Sequence, residues 1–128
     1  MSERYTKGLK QLNELDPNAA EGLIDSFSEI CPDLAKYTIE YPFGDVLQRE
    51  GLDFKTRELA TIAALTALGN CQPQLKGHIS GALNLGCTPK EISEVILQMS
   101  VYAGFPAAIN GMTAAKEVFE SRDIITKK

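Results

Sequence analysis

Three side chains near the middle of the sequence are suited to moving protons: Glu58, Cys71 and His78. His78 is the only histidine of the chain, and imidazole exchanges protons near neutral pH, so it is a candidate general acid or base. Glu58 lies near the start of a strongly apolar segment, where a carboxylate favours its neutral form unless it is paired. A thiol such as Cys71 is a candidate nucleophile. We therefore predict catalytic roles for these three residues.

Cys71 directly precedes a helix that is predicted to begin near residue 72. Unpaired amides and the helix macrodipole favour the thiolate at that position. His78 lies two turns further along on about the same face, but an axial rise of about 10 Å argues against a direct hydrogen bond to Cys71. A water molecule, a substrate or a neighbouring side chain would have to mediate between the two.

Purely structural interpretations of the same residues stay open. A single histidine among apolar neighbours fits a packed residue, and a free cysteine behaves as a small hydrophobic side chain. Glu58 in a first helical turn is favourable to the helix dipole without any chemistry. Arg57 is either a surface ion-pair member or the anchor of a substrate anion. Cys87, in a tight Gly-Cys-Thr turn, is expected to be partly exposed and is a possible redox partner.

The elements that must position these residues are helical throughout. Apolar residues recur every three to four positions, so we predict an all-α fold with six to seven helices in one domain, residues 1–128. The segment at 54–68 is apolar nearly all round, which predicts a central buried helix. Tyr102 is predicted to face the core from the helix that Thr88 and Glu91 cap. The predicted helices cover residues 2–15, 16–30, 32–42, 54–68, 72–85, 88–104 and 106–120.

Composition excludes several classes of function. The chain has 128 residues and a formal net charge of −4, which argues against a nucleic-acid binder. Three cysteines without an apolar leader fit a reducing cytoplasm, and a single histidine excludes most zinc sites. We predict no metal site and no membrane association, since the longest apolar run is far shorter than the ~20 residues that a spanning helix needs.

Several longer motifs resemble the carboxymuconolactone decarboxylase family over about residues 30 to 120. Their order and spacing together are specific, although each is weak alone. They are FGDV (43–46), GLD (51–53), RELA (57–60), LKGHI (75–79), ALNLGCTPKEI (82–92), EVILQ (94–98) and YAGFPAA (102–108).

The resemblance implies the all-α fold of alkylhydroperoxidase-D-like proteins and a homotrimer or homohexamer. It implies one of two chemistries. Both act on a small-molecule substrate, and neither is expected to need a bound cofactor. One is decarboxylation of a carboxymuconolactone; the other is peroxide or disulfide reduction by a Cys-x-x-Cys pair with a histidine and an upstream glutamate. Cys71 matches the first cysteine, His78 the histidine and Glu58 approximately the glutamate, but Gln74 stands where the second cysteine would be.

Three hypotheses follow from the residues and the resemblance. In the first, the protein is a decarboxylase in which His78 and Glu58 do acid–base work and Arg57 holds a carboxylate. In the second, Cys71 reduces peroxides or disulfides, and Cys87, another subunit or a small thiol resolves the oxidised form. In the third, the protein is a non-enzymatic oligomer that binds a small molecule.

Overall fold

The computed structural model describes residues 2–127, and this range contains seven α-helices, one π-helical segment and no strand. The predicted all-α class is confirmed. The chain divides into two compact units, one ending at Phe54 and one beginning at Lys55. The helices are α1 (Glu3–Leu15), α2 (Ala19–Phe27), α3 (Pro32–Thr38), α4 (Phe54–Leu68), α5 (Gln72–Asn84), α6 (Pro89–Ala103) and α7 (Phe105–Ser121), and the π-helical segment is Ile39–Val46.

Close backbone packing between α1 and the π-helical segment organises the first unit. Gly8 is buried in α1, where an added Cβ would overlap the carbonyl group of Ile39, so only glycine fits. In the π-helical segment, a Cβ added to Gly44 would likewise overlap the backbone carbonyl group of Arg4. Arg4 also donates hydrogen bonds of 2.8–3.0 Å to Asp45, which ties the start of α1 to the π-helical segment.

The predicted end of a helix near Pro42 is wrong, because α3 runs into the π-helical segment and Pro42 lies inside it. A proline interrupts an α-helix since it cannot donate the i→i−4 bond and its ring crowds the preceding turn. The wider π turn accommodates it, and the amide of Leu47 closes on the carbonyl of Pro42 at 2.7 Å.

The predicted helix 16–30 is shorter at both ends. Asp16 caps the end of α1 instead, and its carboxylate accepts a 2.9 Å hydrogen bond from the amide of Asn18, so that α2 begins only at Ala19. The helix ends at Phe27, and Ile30 lies beyond it with 81% of its surface exposed. A short-range hydrogen bond that the Asp16 carboxylate accepts takes the place of the expected helix start at the proline.

The second unit has one apolar core formed by α4 to α7 and the turn before α6. Helix α4 contributes a single buried stripe, Glu58, Ile62 and Thr66, and its last residue, Leu68, is 73% exposed. The prediction that this helix is buried all round therefore does not hold within one chain. The core consists of Ile62, Leu75, Ile79, Ala82, Cys87, Ile92, Ile96, Ala114, Ala115, Val118 and Phe119.

Helix α6 begins as predicted, with a complete capping box. The amide of Glu91 donates to the Thr88 hydroxyl, and the amide of Thr88 donates to the Glu91 carboxylate at 2.8 Å. That second bond holds the pKa of the Glu91 carboxyl below its usual value. The predicted inward placement of Tyr102 is wrong, because 80% of the residue's surface is exposed. Gly104, at a φ of 92°, ends α6 and directly precedes α7.

Helix α7 crosses the core at a glycine. A Cβ on Gly111 would lie 2.8 Å from the methyl group of Thr66 and 3.1 Å from Cγ2 of Ile96, so three helices approach closely here. The Thr66 hydroxyl is buried at this crossing without a hydrogen-bond partner. No helix within residues 2–127 combines the length and the apolar character needed to cross a membrane.

Candidate active site

Glu58 lies in the second turn of α4, at the head of the buried stripe that continues through Ile62 and Thr66. The four-residue spacing places these three side chains on one face of the helix, so the apolar residues that bury α4 also bury the carboxylate. Glu58 has no exposed surface. A carboxylate in such a place is costly unless a hydrogen-bonding partner accompanies it.

Helix α5 supplies that partner. Gly69 and Asn70, both with positive φ (67° and 51°), reverse the chain between α4 and α5. Leu75, Ile79 and Ala82 then hold α5 against the core. His78 lies at the edge of this apolar face.

The imidazole of His78 and the carboxylate of Glu58 form a direct ion pair or hydrogen-bonded pair. Nδ1 of His78 is 2.9 Å from Oε2 and 3.2 Å from Oε1 of Glu58. The histidine side chain is 24% exposed, whereas that of the glutamate is fully buried. The pair therefore has a buried acidic end and an imidazole that reaches the surface.

This geometry fixes the proton arrangement of the imidazole. With the carboxylate as acceptor, Nδ1 carries a hydrogen and donates it, which leaves Nε2 as the nitrogen that can take up or release a proton. Nε2 makes no hydrogen bond to the described residues. A carboxylate in this position holds the imidazole in one orientation, which is an arrangement that can serve general acid or base chemistry.

Cys71 occupies the N-cap position of α5, as predicted, but its side chain does not cap the helix. Its Sγ lies 2.8 Å from the carbonyl oxygen of Gly69 and 3.3 Å from that of Leu65, so the thiol donates to the end of α4. Among the described contacts, none joins Cys71 to Glu58 or to His78. The structure thus brings together two of the three residues chosen from the sequence.

The other residues singled out in the sequence, Arg57, Gln74 and Cys87, differ in how far they are buried. Arg57, adjacent to Glu58 in α4, is half-buried, and the hydroxyl of Thr61 donates to its carbonyl oxygen. Gln74 is exposed on α5, four residues before His78. Cys87 is buried, with 3% of its surface exposed, which contradicts the expected partial exposure. The turn that carries Cys87 packs against the core, and the Cys87 side chain is one of the residues of the apolar cluster.

Sequence reasoning named Glu58 and His78 but not the bond between them. Twenty residues separate the two, and their contact depends on how the turn at Gly69 and Asn70 returns the chain. The signal that was available is the pair of left-handed residues, since glycine followed by asparagine suits positive φ.

Known proteins resemble this chain over most of its length. The model of the carboxymuconolactone decarboxylase family matches residues 32–117. A 4-carboxymuconolactone decarboxylase of Acinetobacter baylyi is 35% identical over 127 residues, which cover 98% of this chain and 94% of that protein.

Two further relatives match shorter stretches. An uncharacterized 15.0 kDa protein of Paracoccus denitrificans is 38% identical over 99 residues, covering 77% of this chain and 74% of that protein. A nitrosuccinic acid decarboxylase of Metarhizium robertsii is 35% identical over 88 residues, covering 69% of this chain and 59% of that protein. The matched range contains both members of the Glu58–His78 pair, and the chain belongs to the carboxymuconolactone decarboxylase family.

Proposed function

We propose that this protein is a decarboxylase of small carboxylic acids in which His78 transfers the proton and Glu58 orients the imidazole. The observation that carries the proposal is the 2.9 Å contact between His78 Nδ1 and the fully buried carboxylate of Glu58. Two relatives named as decarboxylases support the reaction type.

The reaction needs one proton for each carbon dioxide released. The bond between the substrate carbon and its carboxylate breaks, carbon dioxide leaves, and the electron pair moves into an acceptor group of the substrate itself. The protonated imidazole gives its Nε2 hydrogen to the resulting carbanion and then regains a proton from water. Glu58 holds the ring in place through Nδ1, so that Nε2 can point at the substrate carbon.

This scheme defines the substrate class. Without a cofactor to accept the electron pair, the acid must carry its own acceptor, such as a conjugated lactone carbonyl or a nitro group. The acids named for the two relatives, 4-carboxymuconolactone and nitrosuccinic acid, are of this kind. We propose that Arg57 binds a carboxylate of the substrate, because guanidinium groups pair well with carboxylates and Arg57 adjoins Glu58.

The structure offers less support for thiol redox chemistry. The Cys71 thiol donates to the carbonyl oxygens of Gly69 and Leu65, an arrangement that suits the protonated thiol and would repel a thiolate. The chain also lacks an accessible resolving cysteine at the two positions considered. Position 74 is a glutamine, and Cys87 is buried in the core. We therefore place decarboxylation ahead of peroxide or disulfide reduction.

We also propose that the working unit is a homo-oligomer, a trimer or a hexamer. Large apolar side chains are exposed on both sides of Gly104, where α6 ends and α7 begins. An apolar group of this size on the surface of a single chain is typical of a protein interface. The residues and their exposed fractions are Leu97 (53%), Val101 (74%), Tyr102 (80%), Phe105 (68%) and Ile109 (61%).

The function is tested by adding 4-carboxymuconolactone to the purified protein and following carbon dioxide release. We expect turnover by the wild type and a fall in kcat of about 10²- to 10⁴-fold for His78→Ala. Cys71→Ser is the matched control, since a hydroxyl can donate to the same carbonyl oxygens, and it is expected to stay within a few fold of the wild type. If the wild type turns over the lactone and His78→Ala does so at the same rate, the role assigned to His78 is refuted.

A further inference from the structure

Helix α3 and the π-helical segment that continues it are apolar on two faces. One face is buried in the first unit and consists of Ala35, Ile39 and Phe43. The other face, which we call the α3 stripe, consists of Leu34, Tyr37 and Tyr41, at the spacings of three and four residues that place side chains on one side of a helix. These three residues are 45%, 60% and 63% exposed, so no described part of the chain covers the stripe.

The apolar surface at the α3 stripe is large enough for a stable contact between two copies of the chain. Ile30, four residues before Leu34 in the turn that leads into α3, is 81% exposed as well. Each of the four side chains exposes on the order of 100 Å², so two facing copies would bury about 800 Å² of apolar surface. Apolar atoms form a little over half of a typical interface, and the whole contact would then bury about 1,400 Å², within the range of specific interfaces.

Two opposite charges lie along one edge of the α3 stripe. Nζ of Lys36 is 5.7 Å from the ring centroid of Tyr37, which places the ammonium group beside the stripe. Asp33 is exposed and directly precedes Leu34. With 3.6 residues per turn, positions 33 and 36 fall on the same side of the line through Leu34 and Tyr37. One edge of the stripe therefore carries an acid and, about one turn later, a base.

We infer that the α3 stripe binds the α3 stripe of a second copy of this chain, with the two helices antiparallel about a two-fold axis. Such an axis brings identical edges together in reversed direction, so Asp33 of each copy comes opposite Lys36 of the other. A parallel pair would place the charged edge against the edge of Thr38 and leave both charges without a partner. This self-complementary pattern favours a second copy over an unrelated protein. The contact is separate from the one proposed at the junction of α6 and α7, and it does not depend on the reaction.

Tyr37→Glu tests the apolar part of this contact. The side chain is 60% exposed in one chain, so the variant is expected to fold, which circular dichroism and the Tm report. We expect the mass of the assembly, measured by light scattering coupled to size-exclusion chromatography, to fall to half that of the wild type. Leu52→Glu is the matched control, because Leu52 is 50% exposed but lies between the π-helical segment and α4, and it should leave the mass unchanged. A wild-type mass in Tyr37→Glu would overturn the inference.

A charge exchange tests the antiparallel arrangement. Asp33→Lys and Lys36→Asp each place like charges opposite each other across the two-fold axis. At low ionic strength we expect each to raise the dissociation constant of the assembly about three- to tenfold in analytical ultracentrifugation. The double variant Asp33→Lys/Lys36→Asp restores opposite charges and should return to the wild-type value. Single variants that associate like the wild type, or a double variant that stays weak, would contradict the inference.

Combination with Val101→Glu distinguishes the α3 stripe of a second copy from the other apolar surface, the junction of α6 and α7. If the two contacts are separate, Val101→Glu and Tyr37→Glu should each remain larger than the double variant, which is expected to be a monomer. If the stripe packs on the junction of another copy, both single variants are as small as the double variant and the inference is wrong. A monomeric wild type overturns it as well, whereas a protein that assembles as expected but releases no carbon dioxide contradicts only the proposed reaction.

Discussion

His78 and Glu58 are bound to each other across two helices, with Nδ1 2.9 Å from a carboxylate oxygen that has no exposed surface. Because the carboxylate is buried, its charge is costly unless the imidazole compensates it. The contact that orients the histidine is therefore also a condition for the stability of the second unit.

A double-mutant cycle on this pair tests that coupling. His78→Ala should cost about 3 kcal/mol in the free energy of unfolding, because it leaves Glu58 buried without its partner. Adding Glu58→Gln should recover part of this loss, with a coupling energy of about 1–3 kcal/mol measured by chemical denaturation.

The exposed pair Lys90 and Glu94, 3.3 Å apart, is the control cycle and should show a coupling of only about 0.5 kcal/mol or less. Additive effects at Glu58 and His78 would mean that the contact contributes nothing to stability.

The reactivity of Cys71 distinguishes the two enzymatic hypotheses. In a Cys31→Ser background, which removes an exposed thiol, we expect slow alkylation of Cys71 by iodoacetamide at neutral pH. The physical reason is that the thiol donates its hydrogen to the carbonyl oxygen of Gly69. Fast alkylation of Cys71 at neutral pH would favour the redox hypothesis.

Self-association is tested at the junction of α6 and α7. Val101→Glu places a charge among exposed apolar side chains and should reduce the assembly to smaller species in light scattering coupled to size-exclusion chromatography. Ile125→Glu changes a 41% exposed residue in the tail after α7 and is expected to leave the mass unchanged. A wild-type protein that is monomeric at all concentrations would contradict the proposal.

The stability of the first unit should depend on acid pH through Asp45. The hydrogen bonds from Arg4 lower the pKa of the Asp45 carboxyl from its ordinary value of 3.8 and raise that of the guanidinium. The folded state therefore binds this proton less readily than the unfolded state, so the contribution is present above about pH 4 and is lost as the pH falls through the folded pKa.

Asp45→Asn tests this directly. We expect its Tm to lie below that of the wild type near neutral pH and the difference to shrink in acid, as measured by thermal unfolding at a series of pH values. Arg4→Gln should give the same convergence, since it removes the other half of the pair. A difference that is constant with pH would show that Asp45 acts by packing alone.

Local signals in the sequence predicted the helices of the second unit well. The capping box of Thr88 and Glu91 and the positive φ of Gly104 depend on a few neighbouring residues, so they can be predicted without the fold. The first unit was harder, because the π-helical segment around Pro42 depends on packing against α1 and not on local preference.

The errors about burial have one cause. Periodicity shows which residues share a face, but not whether this chain covers that face, so Tyr102 and Leu68 were expected inside and are exposed. The Glu58–His78 pair shows the same limit in a different form. Residue types indicated Glu58 and His78, whereas their bond depends on the return of α5 along α4, which no short-range pattern contains.

The single-residue connection at Gly104 limits how the family can vary in length. Helices of 15 and 17 residues meet there with no loop between them. An inserted or deleted residue would rotate one helix by about 100° relative to the other and turn Ala108 and Ala115 out of the core. Insertions and deletions among natural homologues are therefore expected to avoid this junction and to collect between Val46 and Phe54, where seven residues separate the helical segments.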